Sequence, residues 1–208
     1  MAIYLGSEKI IFTESSKVDI ESPYTKQIIE GTISGVYSNS RINVVGNYAF
    51  AGCFNLTSVD FPNCTSIGRS AFYSCSSLTS VNFSKCVNIE NYAFGGCSKL
   101  ISINFPSCTS IGFGAFAYCY SLTSVSFPSC TSIGSYGFSC CYNLLSLYLL
   151  GSSIPSLNHI NAFTSTPISD YTASTGGVYG SIFVPASLYN SYIAATNWSV
   201  YSSRIVSV

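Results

Sequence analysis

The segment LTSVDFPNCTSIG at residues 56–68 returns as LTSVNFSKCVNIE, LISINFPSCTSIG and LTSVSFPSCTSIG, each time 22 residues further along the chain. A period this short constrains the fold more than any other feature, because one such unit cannot enclose its own apolar side and must cover it with the next. Several columns keep the period independently. Leu56, Leu78, Leu100, Leu122 and Leu144 form one, and Val59, Val81, Ile103, Val125 and Leu147 a second. Phe61, Phe83, Phe105, Phe127 and Leu149 form a third. Together they spell LxxVxF, in which apolar and polar positions alternate as a strand with one buried face requires. Ser58, Ser80, Ser102, Ser124 and Ser146 point to the opposite side.

A second apolar side follows in each unit. Val45, Ile67, Ile89, Ile111 and Ile133 share one column, and Phe50, Phe72, Phe94, Phe116 and Phe138 close an Ala-Phe or Gly-Phe element. Turn-like segments such as Pro62-Asn63 and Gly68-Arg69-Ser70 join the two sides. Stacked units of this design pair their strands in parallel, about 4.8 Å apart.

The ten cysteines invite a reading as metal ligands, disulfides or nucleophiles, and their positions argue against all three. Cys53, Cys75, Cys97, Cys119 and Cys141 close the AFxxC element, while Cys64, Cys86, Cys108 and Cys130 follow the strand; Cys140 stands outside both columns. Members of a repeat column point the same way, whereas a zinc site needs ligands converging from several directions. Parallel side-chain vectors also work against disulfide bridging. A nucleophilic cysteine needs a base, and the single histidine, His159, sits in a broken repeat and is expected in a turn. Asp60 and Glu90 are isolated substitutions at variable repeat positions. The expectation is buried, reduced packing cysteines whose weak S–H donors face backbone carbonyls, with no catalytic residue, no metal and no cofactor.

Charged residues make up 8% of the 208-residue chain and cancel to zero, far below the roughly 25% of an average domain. Nine of the sixteen lie within the first 45 residues. This excludes the basic footprint of a nucleic-acid binder. MAIYLGSEKIIF lacks the pattern of a secretory signal, and no apolar run is long enough for a membrane helix.

The expected division is an N-terminal cap over residues 1–41, a repeat stack over 42–149, and an irregular last repeat, loop and C-terminal cap over 150–208. MAIYLGSEKIIF and KQIIEGTISG read as short strands of the first cap. INAF, at residues 160–163, resembles the earlier AF element but arrives 25 residues after its predecessor. Residues 164–180 read as a loop, GSIFV as a strand, and Pro185 as opening a helix through Leu188, Tyr192 and Ile193, with Trp198 anchoring a lid.

The columns resemble leucine-rich repeats, whose LxxLxLxxN/C pattern is matched by Leu56, Val59, Phe61 and Cys64 and in the following units. The combination of LTSVxFPxCTSIG with AFxxC resembles the BspA-like branch more narrowly, and SIFVPASLYNSYIAATNWSVYSSRI is similar to the tail that closes such arrays in proteins of gut bacteria and their phages. The resemblance implies an α/β-type leucine-rich repeat solenoid with parallel strands and irregular structure, a strand-rich first cap and a helix-containing last one. It further implies adhesion or protein recognition at a bacterial surface, cell-surface or secreted, with no enzymatic activity.

Carried onto this chain, the family's exposed inner-face positions are Ser58 and Asp60, Ser80 and Asn82, Ser102 and Asn104, Ser124 and Ser126, and Ser146 and Tyr148. A second candidate surface is read from the residues themselves: Tyr118, Tyr120, Tyr136 and Tyr142 stand where some earlier units have smaller residues, and stacking would bring Tyr120 and Tyr142 onto adjacent rungs. Rigid aromatic area with polar tips suits a protein hot spot or a sugar face, or else shields the edge of the stack or packs beneath the insertion at residues 151–180. The expected partner is a protein or a surface glycan. A structural part of a phage tail or bacterial appendage is the alternative, as is a carbohydrate-binding module.

Overall fold

The computed structural model describes residues 35–170 and 175–208, and before them the strands Ile3–Leu5, Glu8–Ile10 and Val18–Ile20. Nearly all of KQIIEGTISG lies outside the described residues. Within MAIYLGSEKIIF, read as short strand structure, Ile3–Leu5 and Glu8–Ile10 pair in antiparallel fashion.

Each repeat forms one rung of a parallel stack with three walls. The LxxVxF segments supply the first wall through strands Leu56–Asp60, Ser80–Asn82, Ser102–Asn104, Ser124–Ser126 and Ser146–Tyr148. Gly35–Ser38 adds a rung below, and Ser181–Val184 and Ile205–Ser207 add two above. This wall is two sheets, of three and five strands, because the ladder lapses between Ser80–Asn82 and Ser102–Asn104. The second wall is a seven-stranded parallel sheet of very short strands, including Ser66–Ile67, Ser110–Ile111 and Ser132–Ile133, that starts from Val18–Ile20 and Ile42–Val45.

The third wall carries the AF elements as turns. Alternate N–H groups there bond within the turn or to the next rung. Ala71 N donates to Gly68 O, Phe72 N to Ala93 O at 2.7 Å, Tyr73 N to Ser70 O, and Ser74 N to Gly95 O. The alternation places residues flanking each Phe in the left-handed region, so positions 48, 70, 92, 114 and 136 and positions 52, 74, 96, 118 and 140 all have positive φ.

Between the walls, two phenylalanine columns interlock. Phe50, Phe72, Phe94, Phe116, Phe138 and Phe163 stack nearly parallel, with centroids 5.0 to 5.6 Å apart. Phe61, Phe83, Phe105 and Phe127 form the companion column, and rings such as Phe83 and Phe94 meet edge to face at 6.0 Å. These are the geometries that the aromatic quadrupole favours. All ten rings are buried.

The irregular last repeat keeps the stack intact. Phe163 caps the Phe column, and Ser156–Leu157 pairs with Ser132–Ile133. The extra residues behind the 25-residue spacing are spent outside these pairings. His159 is an extended residue just before a turn rather than in one: its Nδ1 accepts from Asn161 N at 3.2 Å and caps the short 3-10 helix Ile160–Phe163. Pro185 precedes a 3-10 turn, Ala186–Leu188, which runs into the helix Tyr189–Ala194. Trp198 is fully enclosed; its indole N–H donates to Pro155 O at 2.8 Å, and its ring touches Phe163 and Tyr192. Asn197 bonds Leu157 O and the Tyr201 hydroxyl bonds Ile160 O, so the cap grips the last repeat at three points.

Candidate functional site

The cysteines line the interior as weak donors. Cys64, Cys86, Cys108 and Cys130 each donate to the carbonyl two residues on, at 3.2 to 3.4 Å. Cys75, Cys97, Cys119 and Cys141 each donate to a carbonyl of the preceding rung, such as Cys97 to Phe72 O at 3.2 Å. None of the ten is in a disulfide, and only Cys140 is not buried. Burial pushes Cys64 and Cys130 up to about 11 and Cys108 to about 12. Burial also drives Cys97 and Cys141 upward, while contact with the Cys53 thiol, with burial, raises Cys75. Such thiols are protonated at neutral pH and poor nucleophiles. Among the described residues no cluster of three or more His, Cys, Asp or Glu could hold a metal ion.

Hydroxyls and amides cover the outside in place of charges. Thr65, Thr79, Thr109, Thr123 and Thr131 each donate to a carbonyl of the rung below, at 3.0 to 3.2 Å. Each bond ties adjacent rungs at a surface position, which is how a nearly chargeless chain satisfies its polar groups.

On the strand wall the sequence-expected residues form two aligned rows. Ser58, Ser80, Ser102, Ser124 and Ser146 occupy one, continued by Ser181; Asp60, Asn82, Asn104, Ser126 and Tyr148 occupy the other, continued by Phe183. The Asp60 carboxylate accepts from Ser38 Oγ at 2.9 Å and Asn82 Nδ2 at 2.7 Å, and Ser80 Oγ donates to Ser58 Oγ at 2.9 Å. The first two rungs of both rows are therefore bonded to each other. The C-terminal end is different. Tyr148 and Phe183 stack with centroids 4.7 Å apart. Phe183 was invisible to the repeat pattern because 35 residues separate it from Tyr148 instead of 22.

The four tyrosines read from the sequence divide into two clusters. Tyr120 and Tyr142 stack at 5.2 Å on adjacent rungs, and Tyr118 meets Tyr120 edge-on at 6.3 Å. Tyr136 belongs elsewhere: it contacts Phe113 at 5.4 Å, which in turn contacts Tyr92 at 5.3 Å. Phe113 was missed because its column holds Asn, Arg or Ser in other repeats, and Tyr92 because the Tyr of its column, at 48, 92 and 136, alternates with Ser70 and Gly114. Asn91 fixes the second cluster by accepting from Phe113 N at 2.9 Å. Tyr92, Phe113, Tyr118, Tyr120 and Tyr136 are all exposed, while Tyr142 is half-buried.

Residues 30–145, more than half of the chain, match the BspA-type leucine-rich repeat region in six copies, and the chain belongs to that family. A leucine-rich cell surface protein from Faecalibacterium prausnitzii A2-165 has a similar solved fold, with a TM-score of 0.62 at 24% identity. The likeness covers 88% of this chain and 45% of that protein, so the chain spans less than half of its relative's length. A leucine-rich repeat protein of T. pallidum aligns over 59% of this chain and 72% of its own, with a TM-score of 0.45 and 24% identity. No curated protein sequence matches the chain. No helix among the described residues is long and apolar enough to cross a membrane.

Proposed function

We infer that the chain is a recognition module of a bacterial surface or secreted protein, and that it contacts a protein partner through the aromatic clusters of its turn wall. One observation carries the reading. Tyr92, Tyr118 and Tyr136 have φ of 56°, 62° and 56°, in columns where Gly52, Gly96 and Gly114 serve in sister repeats. A non-glycine residue in the left-handed region costs on the order of 1–2 kcal/mol. The interior returns little of that cost, because these rings stand between 38% and 48% exposed.

The surrounding wall is rich in Tyr, Ser, Gly and Asn, a composition that serves protein recognition elsewhere by combining rigid aromatic anchors with adaptable polar groups. Stacking of Tyr120 on Tyr142 occupies one face of each ring and makes a single rigid aromatic anchor of the pair. Family membership and the cell-surface relative support the proposed location.

The test replaces Tyr92, Tyr118 and Tyr136 together with glycine, the residue that sister repeats already use there. Binding of surface-fraction proteins by the intact chain is measured beside the thermal midpoint. The expected result is lost saturable binding with a midpoint close to the parent's. Retained binding with a lowered midpoint assigns these rings to shielding and overturns the reading.

A further inference from the structure

After residue 100 the chain carries only two formally charged side chains, Asp170 and Arg204, and both line one cleft in the C-terminal cap. The cleft encloses about 240 Å³. Its apolar lining comes from Ile160, Ile168 and Val200, with Tyr201 between. Ile168 is fully buried and forms the floor, whereas Ile160 and Val200 are 46% and 58% exposed at the rim. None of these residues belongs to the strand wall or to the tyrosine clusters.

Arg204 is held in place, Asp170 is exposed at the rim, and the two charges are not spent on each other. Arg204 sits over the Tyr179 ring, 3.6 Å from its centroid, in a cation–π contact and forms no ion pair with Asp170. The approach to Asp170 is a tightly bonded turn: Thr166 Oγ1 donates to Phe163 O at 2.7 Å and Ser169 Oγ to Thr166 O at 2.9 Å. The Tyr201 hydroxyl bonds Ile160 O and fixes one wall to the other. Burial pushes that phenol up to about 12, and the nearby Asp170 carboxylate adds to the shift.

We propose that this cleft binds a free α-amino acid with an apolar side chain. The Arg204 fork receives the carboxylate, Asp170 receives the ammonium, and Ile160, Ile168 and Val200 take the side chain. Opposite charges in one small cleft select a ligand that carries both, since a dianion or a dication meets repulsion at one end. An internal residue of a polypeptide has neither main-chain charge, and a terminal residue has only one. The volume is also below the range of roughly 300–1,000 Å³ usual for larger ligands.

Calorimetric titration of the full chain with L-leucine, L-valine and L-phenylalanine tests the proposal. At least one is expected to bind saturably. Leucinamide, lacking the carboxylate, and 4-methylpentanoate, lacking the ammonium, are each expected to bind at least about tenfold more weakly than leucine, the loss of one charge-assisted contact. Asp170→Asn and Arg204→Gln are expected to weaken amino-acid binding by a similar factor with unchanged far-ultraviolet circular dichroism. No saturable binding of any of the three up to about 10 mM, the weak end of specific affinity, overturns it. So does binding that neither substitution alters.

Discussion

Phe94 shows how much one side chain contributes when a period repeats it. Its ring lies between Phe72 and Phe116, at 5.1 and 5.3 Å, and meets Phe83 and Phe105 of the companion column. Truncation leaves a cavity that the flanking rings cannot fill without leaving their own stacks. Phe94→Ala is expected to cost about 3–5 kcal/mol, read as a fall in the urea midpoint; a midpoint near the parent's would contradict the packing. The cysteines obey a related logic. A serine would bring a stronger demand for hydrogen bonding into an apolar wall, and an alanine would leave the carbonyls of Phe72 and Phe94 with the backbone N–H alone of the two donors they have. A thiol is small enough for the turn and asks for little.

At the scale of elements, the cap is the part whose closure can be watched. Trp198 is the only tryptophan, and it is sealed against Phe163 and Tyr192 beneath the terminal turns. Its emission is expected to be blue-shifted and resistant to acrylamide in the native chain, and accessible quenching there would mean the lid is open. The sequence showed this element through Pro185 and Trp198, and showed the first wall through three apolar columns. It did not show the second wall as strand, because a two-residue element such as Ser66–Ile67 is too short to display alternation. The rung-to-rung bonding of the turn wall was equally hidden, since left-handed positions are filled by Gly, Ser, Cys or Tyr in turn. The tyrosine surface was half legible. Tyr120 and Tyr142 share a column and could be paired by register, whereas the contact of Tyr136 with Phe113 joins different columns and depends on how side chains lean.

For the molecule as a whole, one geometric fact organises the rest: equivalent residues of successive repeats lie over one another. It puts thiols and rings inside and bonds hydroxyls to the rung below. Titration of the sulfhydryls with a thiol-specific reagent near pH 8, first native and then in denaturant, tests this most directly. One reactive thiol, Cys140, is expected in the native chain and ten after denaturation without reductant, because nine are buried. Several thiols reacting at once in the native protein, or fewer than ten after unfolding, would contradict the stacked and reduced interior.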